Sequence, residues 1–204
     1  MLCYTPFTGL GNFQGYRGAR WLKARIQIFK QFVIPSWLAQ TNRDFIHWIS
    51  WRREEKNNPQ VKELEQWLKS IPNYRFIFTF SGLCFYDDKY EDSIARDRLL
   101  TSIHGTMGEL VNIIGEIDYV LMLIAPSDDL YHQEAVEGIQ RFFEENQEYQ
   151  AVGFEKGYIC NYPTKEVADY NPSTNPPFYT IKFPRDVFID PFRHVNFVSI
   201  KHDM

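Results

Sequence analysis

The sequence lacks the features that assign many chains to a class at once. Its 204 residues include three cysteines, Cys3, Cys84 and Cys160, which are widely separated and form no CxxC pair. This pattern argues against a disulfide framework or a zinc knuckle. No apolar run approaches the roughly 18 residues that cross a bilayer, and the first residues lack the basic-then-apolar order of a signal peptide. We therefore expect a cytoplasmic protein with reduced cysteines.

An excess of basic charge is also missing. The formal net charge is −4, whereas domains that bind by neutralising a phosphate backbone are usually basic. Nucleic acid is therefore not an expected partner. The Gly-rich stretch TGLGNFQGYRG, residues 8–18, lacks the G-x-G-x-x-G spacing of a dinucleotide fingerprint, so we expect a flexible loop there.

What is present is the composition of an ordinary folded domain. Hydrophobic residues make up 44% and charged residues 24%, and the length suits one domain over residues 1–204. Aromatic residues are abundant at 17%. Such an excess often lines sugar, base or peptide grooves, although a Phe-rich core explains it as well.

Strand and helix patterns alternate along the first three quarters of the chain. Strands are predicted at 2–7, 45–51, 74–82 and 118–125, and helices at 19–39, 61–70, 94–114 and 133–145. The first helix is predicted to kink near Pro35. Because the later strands are continuously apolar, and so buried on both faces, we expect an α/β fold with a mostly parallel central sheet flanked by helices. From residue 151 onward, aromatic and proline-rich segments predict hairpins or edge strands that cover one end of the sheet.

The stretch LMLIAPSDDLYH ends an apolar strand in two adjacent carboxylates, Asp128 and Asp129. Ligands of open parallel sheets bind beyond the carboxyl ends of the strands. Two neighbouring carboxylates need a cation nearby, and oxygen ligands suit Mg²⁺ or Mn²⁺ that holds a diphosphate. The alternative is that Ser127 or Asp128 caps a helix that begins near Leu130. The residues alone leave both interpretations open.

Four blocks of the sequence resemble one family. They are WLKARIQIFKQFVIPSWLAQTNRDFIHWI, DYVLMLIAPSDDLYH, FEKGY and NPPF, in this order. Together they resemble the rhamnosyltransferase family of GT-A-fold glycosyltransferases, which are similar to glycosyltransferase family 2, over roughly residues 20–195. The resemblance implies a nucleotide-sugar-binding half at residues 1–132 and an acceptor-side half, with the smaller aromatic β region, at residues 133–204. It also implies an inverting transfer and leaves open further domains of a longer polypeptide.

The acidic block matches a family pattern of the form Asp-Ser-Asp-Asp-x-x-His through Ser127, Asp128, Asp129 and His132. The resemblance makes Asp128 the principal metal ligand and a donor contact, with Asp129 as a second ligand of Mn²⁺ or Mg²⁺. Pro126 stands where the family has its first acid. A proline side chain cannot coordinate a metal, so the departure puts metal dependence and activity in question.

Other candidate residues fill the remaining roles of a glycosyl transfer. Contacts with the donor nucleotide or its phosphates are predicted for Thr5, Arg17, Arg96 and Arg98, together with Ser127. The base that accepts the proton of the acceptor hydroxyl is predicted to be Glu155 or Asp190, and His194 is a candidate further metal ligand. Solvated surface positions are the plain alternative for each of these charged residues.

Three functions are therefore carried forward from the sequence. The expected one is a metal-assisted glycosyltransferase that moves rhamnose or another hexose from a nucleotide diphosphate-sugar donor to a glycan acceptor. The second is a catalytically inert carbohydrate- or nucleotide-binding domain with the same fold. The third is a metal-dependent hydrolase of phosphate esters, which the acid pair permits but which lacks a supporting His/Asp cluster.

Overall fold

Six strands form one mixed sheet in a computed structural model, which describes residues 1–8, 18–82, 92–171, 178–190 and 192–193. Residues 81–82, 92–100 and 102–103 are described by their backbone course alone. The strands are β1 (Leu2–Pro6), β2 (Ile46–Arg52), β3 (Phe76–Gly82), β4 (Tyr119–Ile124), β5 (Ala151–Gly153), β6 (Gly157–Asn161), β7 (Glu166–Tyr170) and β8 (Tyr179–Pro184). Their order in the main sheet is β3-β2-β1-β4-β8-β5.

Most of this sheet is parallel, which confirms the predicted class. Strands β1, β2, β3 and β4 run in one direction, and β8 lies antiparallel between β4 and β5. For the C-terminal segment that forms β8, the prediction of an edge strand is wrong, because β8 pairs antiparallel with both β4 and β5 and is an interior strand. Its Thr180 and Phe183 side chains are buried, as a strand with neighbours on both sides requires.

Helices cover both faces of the sheet. They are α1 (Ala19–Ile28), α2 (Ile34–Leu38), α3 (Pro59–Lys69), α4 (Asp92–Ile114), α5 (Ala135–Glu145) and α6 (Arg185–Ile189). Helices α1, α2, α3 and α5 pack on one face through a core that includes Trp37, Leu64 and Phe143. Helices α4 and α6 pack on the other face around Leu110 and Phe188. Among the described residues, no helix is long and apolar enough to span a membrane.

The predicted first helix is interrupted by a turn of π-helix at Phe29–Val33. The Ile34 N–H donates to the Phe29 carbonyl, five residues back, in place of the usual four. Pro35 follows directly; it has no N–H, and its ring crowds the carbonyl four residues earlier. A wider π-helical turn immediately before the proline accommodates the ring and the missing N–H. The irregularity predicted as a kink near Pro35 is therefore a local change of helical pitch.

Two further segments differ in detail from the prediction: residues 53–57, and the start of α3, which begins at Pro59 and not at residue 61. Residues 53–57, expected to be part of a loop, form a single 3₁₀ turn, in which the Glu55 carboxylate accepts a 2.6 Å hydrogen bond from Asn58. Asn58 also caps α3, because its side-chain oxygen accepts a hydrogen bond from the Gln60 N–H at 3.0 Å. Pro59 occupies the first helical position, where a backbone N–H would have no partner within the helix, so the absence of this N–H does not destabilise α3.

The C-terminal aromatic region forms the hairpin that its sequence predicted. Strands β6 and β7 pair antiparallel in a sheet of their own, separate from the main sheet. The Tyr162 ring, beyond β6, packs edge-on against Phe32, with ring centroids 4.8 Å apart. The hairpin is thereby held against the helical face of the first half of the chain.

Candidate functional site

The acidic pair lies beside the point where the chain order of the sheet reverses. From β1 the chain moves outward to β2 and β3, and it then crosses to the other side of β1 to form β4. Tyr4 and Ile124 are level in the two strands, and the Ala125 N–H donates to the Tyr4 carbonyl at 2.7 Å. The carboxyl ends of β1 and β4 therefore lie side by side at a topological switch point, and open α/β sheets typically bind ligands in a crevice at such a point.

The two acids lie in a turn, not at a helix start. The Asp129 N–H donates to the Pro126 carbonyl at 3.4 Å, and residues 129–132 are not helical. Helix α5 begins at Ala135, after Glu134, which provides no side-chain cap. The interpretation that Ser127 or Asp128 caps a helix near Leu130 is therefore wrong.

The charge of Asp128 is balanced by an arginine of helix α1. The Asp128 carboxylate forms an ion pair with the Arg25 guanidinium, whose carbon lies 5.5 Å from the centre of the Trp21 ring. Arg25 was not predicted as a site residue, because in the sequence it is one of several cationic residues on the polar face of α1. The available signal was its position one helical turn after Trp21, where the two side chains are neighbours.

Asp129 is a carboxylate in an unfavourable setting. Burial, the main cause, and the negative charge of Asp128 raise its pKa to about 6, and the positive charge of Arg25 offsets part of this rise. The three side chains together carry one positive and two negative formal charges when Asp129 is ionised. The cluster then has a net formal charge of −1, with Asp128 paired to Arg25, whereas Asp129 forms no such ion pair among the described residues.

A buried hydrogen-bond relay holds the two strand ends together. The Thr5 hydroxyl donates to the Ala125 carbonyl, so its oxygen accepts from His47 Nε2, 2.7 Å away. His47 Nδ1 then accepts from the Tyr74 hydroxyl. Burial lowers the pKa of His47 to about 3, which keeps the ring neutral. Because the Thr5 side chain is fully buried and bonded on both sides, it supports the ends of β1 and β4. Its predicted contact with the donor nucleotide stays a prediction.

The far end of the acidic loop is fastened by the segment Gln40–Thr41, which precedes β2. Gln40 Nε2 donates to the His132 carbonyl at 2.8 Å, and its Oε1 accepts from the Val136 N–H at 3.0 Å. The Thr41 N–H donates to the Gln133 carbonyl at 2.8 Å. Buried Gln40 therefore supplies the cap that α5 lacks locally, and it holds the chain away from helical geometry until Ala135.

Tyr131 anchors the middle of the same loop. Its hydroxyl donates to the Ile124 carbonyl, and its ring packs between Trp37 and Phe178, with centroids at 4.9 and 5.5 Å. The Tyr131 side chain points inward at this position, whereas Asp128 is exposed and Asp129 is partly buried. Ser127, also in the turn, is 8% exposed.

Glu155 and Asp190, the two predicted bases, differ in their placement. The Phe154 N–H donates to the Phe178 carbonyl at 3.0 Å, so Glu155 follows β5 at the same edge of the sheet as the acidic turn. Only β8 separates β4 from β5, which corresponds to about 10 Å between the two strand ends. By contrast, Asp190 accepts from the N–H groups of Phe192 and Arg193 at 2.9 and 3.2 Å, so its carboxylate caps a turn.

The remaining predicted residues lie beyond what the structure describes. Arg17 and His194 are outside the described residues, and Arg96 and Arg98 belong to the part of α4 that is described by its backbone alone. Their predicted roles at the donor and the metal stay predictions.

The acidic pair offers too few ligands to hold a metal ion alone, but it could hold one together with the phosphates of a bound substrate. In the described part of the chain, no group of three or more His, Cys, Asp or Glu side chains forms a protein-only metal site. Mg²⁺ is often bound through one or two carboxylates together with substrate phosphates. Asp128 and Asp129 supply two carboxylates of that kind, in a turn at the carboxyl end of β4 beside β1.

Comparisons with known proteins add no family to this picture. No protein-family model matches the sequence, and no curated protein matches it significantly. The function is therefore argued from the site and from the sequence blocks described above.

Proposed function

We propose that this chain is a GT-A-type glycosyltransferase that moves a sugar, rhamnose or another hexose, from a nucleotide diphosphate donor to a glycan acceptor, with inversion and with assistance from Mn²⁺ or Mg²⁺. The observation that carries the proposal is the acidic turn at Asp128 and Asp129. It lies at the carboxyl end of β4, beside β1 at the switch point, and it caps no helix. The family-like blocks supply the reaction class.

The electrostatics of the turn support a cation in this role. A diphosphate would meet a cluster with a formal charge of −1, and like charges at contact distance repel. A divalent ion changes that balance to +1 and, when bound, would neutralise the leaving diphosphate. The chain's own contribution is to hold Asp128 and Asp129 at the switch point on a loop that is fastened by Thr5 and Gln40.

Glu155 is the better of the two candidate bases. It is exposed and follows β5 at the same edge of the sheet as the acidic turn, and a catalytic base must reach the acceptor hydroxyl. The Asp190 carboxylate already accepts hydrogen bonds from two backbone N–H groups, and these bonds would have to break before it could act as a base.

A thermal-shift panel tests the proposal. UDP, dTDP and GDP are each combined with Mn²⁺, Mg²⁺ or EDTA, because a ligand that binds only the folded state raises its melting temperature. We expect one nucleotide to stabilise the protein more with metal than with EDTA. Asp128→Asn should abolish the metal effect. Asp118→Asn, which changes an exposed acid just before the opposite end of β4, should keep it. A panel without any shift would refute nucleotide binding.

The inert binding domain is the second candidate, and Pro126 is the feature that favours it. Turnover separates the two functions. The UDP-, dTDP- and GDP-sugars are incubated with metal, and the release of nucleoside diphosphate is measured. Binding without release supports the inert domain, whereas release that Asp128→Asn eliminates supports the transferase. Release of phosphate from model esters would instead favour a hydrolase.

A further inference from the structure

The Arg25 side chain is held in place on two sides before any ligand arrives. Its guanidinium contacts the Asp128 carboxylate and lies over the Trp21 ring at 5.5 Å. Only 21% of the Arg25 side chain is exposed, against 49% for Asp128. The guanidinium therefore lies between helix α1 and the tip of β4 and does not extend into solvent.

This ion pair opposes a divalent cation at the same carboxylate. A guanidinium keeps its proton at every pH at which the protein folds, so its charge cannot be titrated away. A cation that approaches Asp128 must displace Arg25 or bind beside it, against the repulsion of like charges at contact distance. The free protein is therefore expected to bind Mn²⁺ or Mg²⁺ weakly.

A diphosphate offers Arg25 a better partner. A guanidinium binds phosphate oxygens through two parallel hydrogen bonds, and a diphosphate carries more negative charge than one carboxylate. We propose that Arg25 is a donor-binding residue. It pairs with Asp128 in the free protein, and it moves its hydrogen bonds to the diphosphate of an entering nucleoside diphosphate, which frees Asp128 for the metal.

The consequence is cooperative binding, and it rests on the proposed function. If Arg25 leaves Asp128 only when a diphosphate is present, the nucleotide must raise the affinity for the metal. By linkage, the metal must then raise the affinity for the nucleotide by the same factor. A motif that has lost its first acid to Pro126 would thereby take up metal mainly together with donor.

Two variants of Arg25 and one control separate the effect of its positive charge from that of its planar guanidinium group. Arg25→Gln removes the charge, and Arg25→Lys keeps the charge but loses the planar fork. Lys23→Gln removes an exposed positive charge from the same helix and serves as the control. Binding of Mn²⁺ alone is measured by calorimetry, followed by binding of UDP, dTDP and GDP with Mn²⁺ present.

The expected pattern differs for each protein. The unaltered protein should bind Mn²⁺ weakly and at least about tenfold tighter with its preferred nucleoside diphosphate. Arg25→Gln should bind Mn²⁺ alone at least about tenfold tighter than the unaltered protein, because the competitor is gone, and should bind the nucleotide about tenfold weaker. Arg25→Lys should keep the weak Mn²⁺ binding and lose nucleotide affinity. Lys23→Gln should match the unaltered protein.

Two outcomes would overturn the inference and leave the proposed function intact: unchanged Mn²⁺ affinity in Arg25→Gln, or equal Mn²⁺ affinity of the unaltered protein with and without nucleotide. If Arg25→Gln does not fold, Arg25→Lys decides, since undiminished nucleotide affinity in that variant also overturns the inference. An unaltered protein that binds no nucleoside diphosphate under any condition refutes the proposed function itself.

Discussion

The buried relay through His47 makes a quantitative prediction about stability and pH. The ring is fully buried and lies between the Thr5 and Tyr74 hydroxyls. Its pKa in the folded protein is about 3, below the ordinary value of 6.5, so between these values the unfolded chain binds a proton that the folded chain does not. Stability from His47 is therefore present above pH 6.5 and is lost as the pH falls toward 3.

The size of this loss follows from the two pKa values. At pH 4.5 the unfolded chain has taken up the proton and the folded chain has not, which costs about 2.5 kcal/mol relative to pH 7. Any folded-state pKa below about 3.5 gives nearly the same cost at this pH. For a chain of this length, the cost corresponds to a fall of about 5–10 °C in melting temperature.

Substitution isolates this contribution from the carboxylates that titrate in the same range. His47→Gln cannot titrate, and we expect it to be less stable than the unaltered protein at pH 7 by about 1–3 kcal/mol, because the buried hydroxyls lose a well-placed partner. At pH 4.5 the difference should close or reverse. His104→Gln, at an exposed position of α4, is the control for replacing a histidine by glutamine.

Urea unfolding at pH 7.0 and 4.5, followed by tryptophan fluorescence, measures the difference directly. A difference between the unaltered protein and His47→Gln that is the same at both pH values would refute the reasoning. It would mean that His47 either takes up its proton in the folded state or is not buried as described.

Three other predictions concern the acidic loop and the sheet. Gln40→Ala should cost about 1–3 kcal/mol in urea unfolding, because the His132 carbonyl and the Val136 N–H lose a buried partner, and it should weaken the metal-dependent nucleotide shift. If the shift is unchanged, Gln40 does not position the loop. Asp129→Asn should raise the melting temperature of the free protein at pH 7.5 and have little effect at pH 4. A carboxyl whose pKa is raised from 3.8 to about 6 on folding lowers stability progressively as the pH rises above 3.8, and the loss is complete above about 6. An unchanged melting temperature at pH 7.5 would contradict the burial. Phe183→Ala should cost about 3–5 kcal/mol as a core truncation, and a cost below about 1 kcal/mol would contradict the burial of this side chain in the core.

Local patterns were sufficient for the parallel part of the sheet and for the location of the acids. Apolar runs alternating with helical spacing favour βαβ connections, which put the acids at the carboxyl end of a parallel strand. The position of β4 beside β1 comes from the structure and was not predicted. The interior position of β8 was not predictable in this way. A short aromatic segment has the same pattern at an edge and between two strands, and the difference depends on pairing with β4 and β5 elsewhere in the chain.

The helix-capping interpretation failed for a similar, nonlocal reason. Ser127 and Asp128 followed by an amphipathic stretch form a reasonable local start signal for a helix. Gln40, more than 90 positions earlier, instead bonds to His132 and Val136 and delays the helix to Ala135. Contacts at such separations leave no trace in a periodicity or a capping pattern.

Both ends of the acidic loop are therefore fixed to the sheet and its helices, and this determines where movement is expected at the site. The entry is held at Ala125 by Thr5, and the exit is held at His132 by Gln40. A short segment fixed at both ends presents its carboxylates with little freedom, as a binding site requires. Arg25, in contrast, reaches Asp128 through a long side chain whose rotamers can change without a backbone shift. Ligand binding should therefore move Arg25 and leave the backbone of residues 125–132 in place.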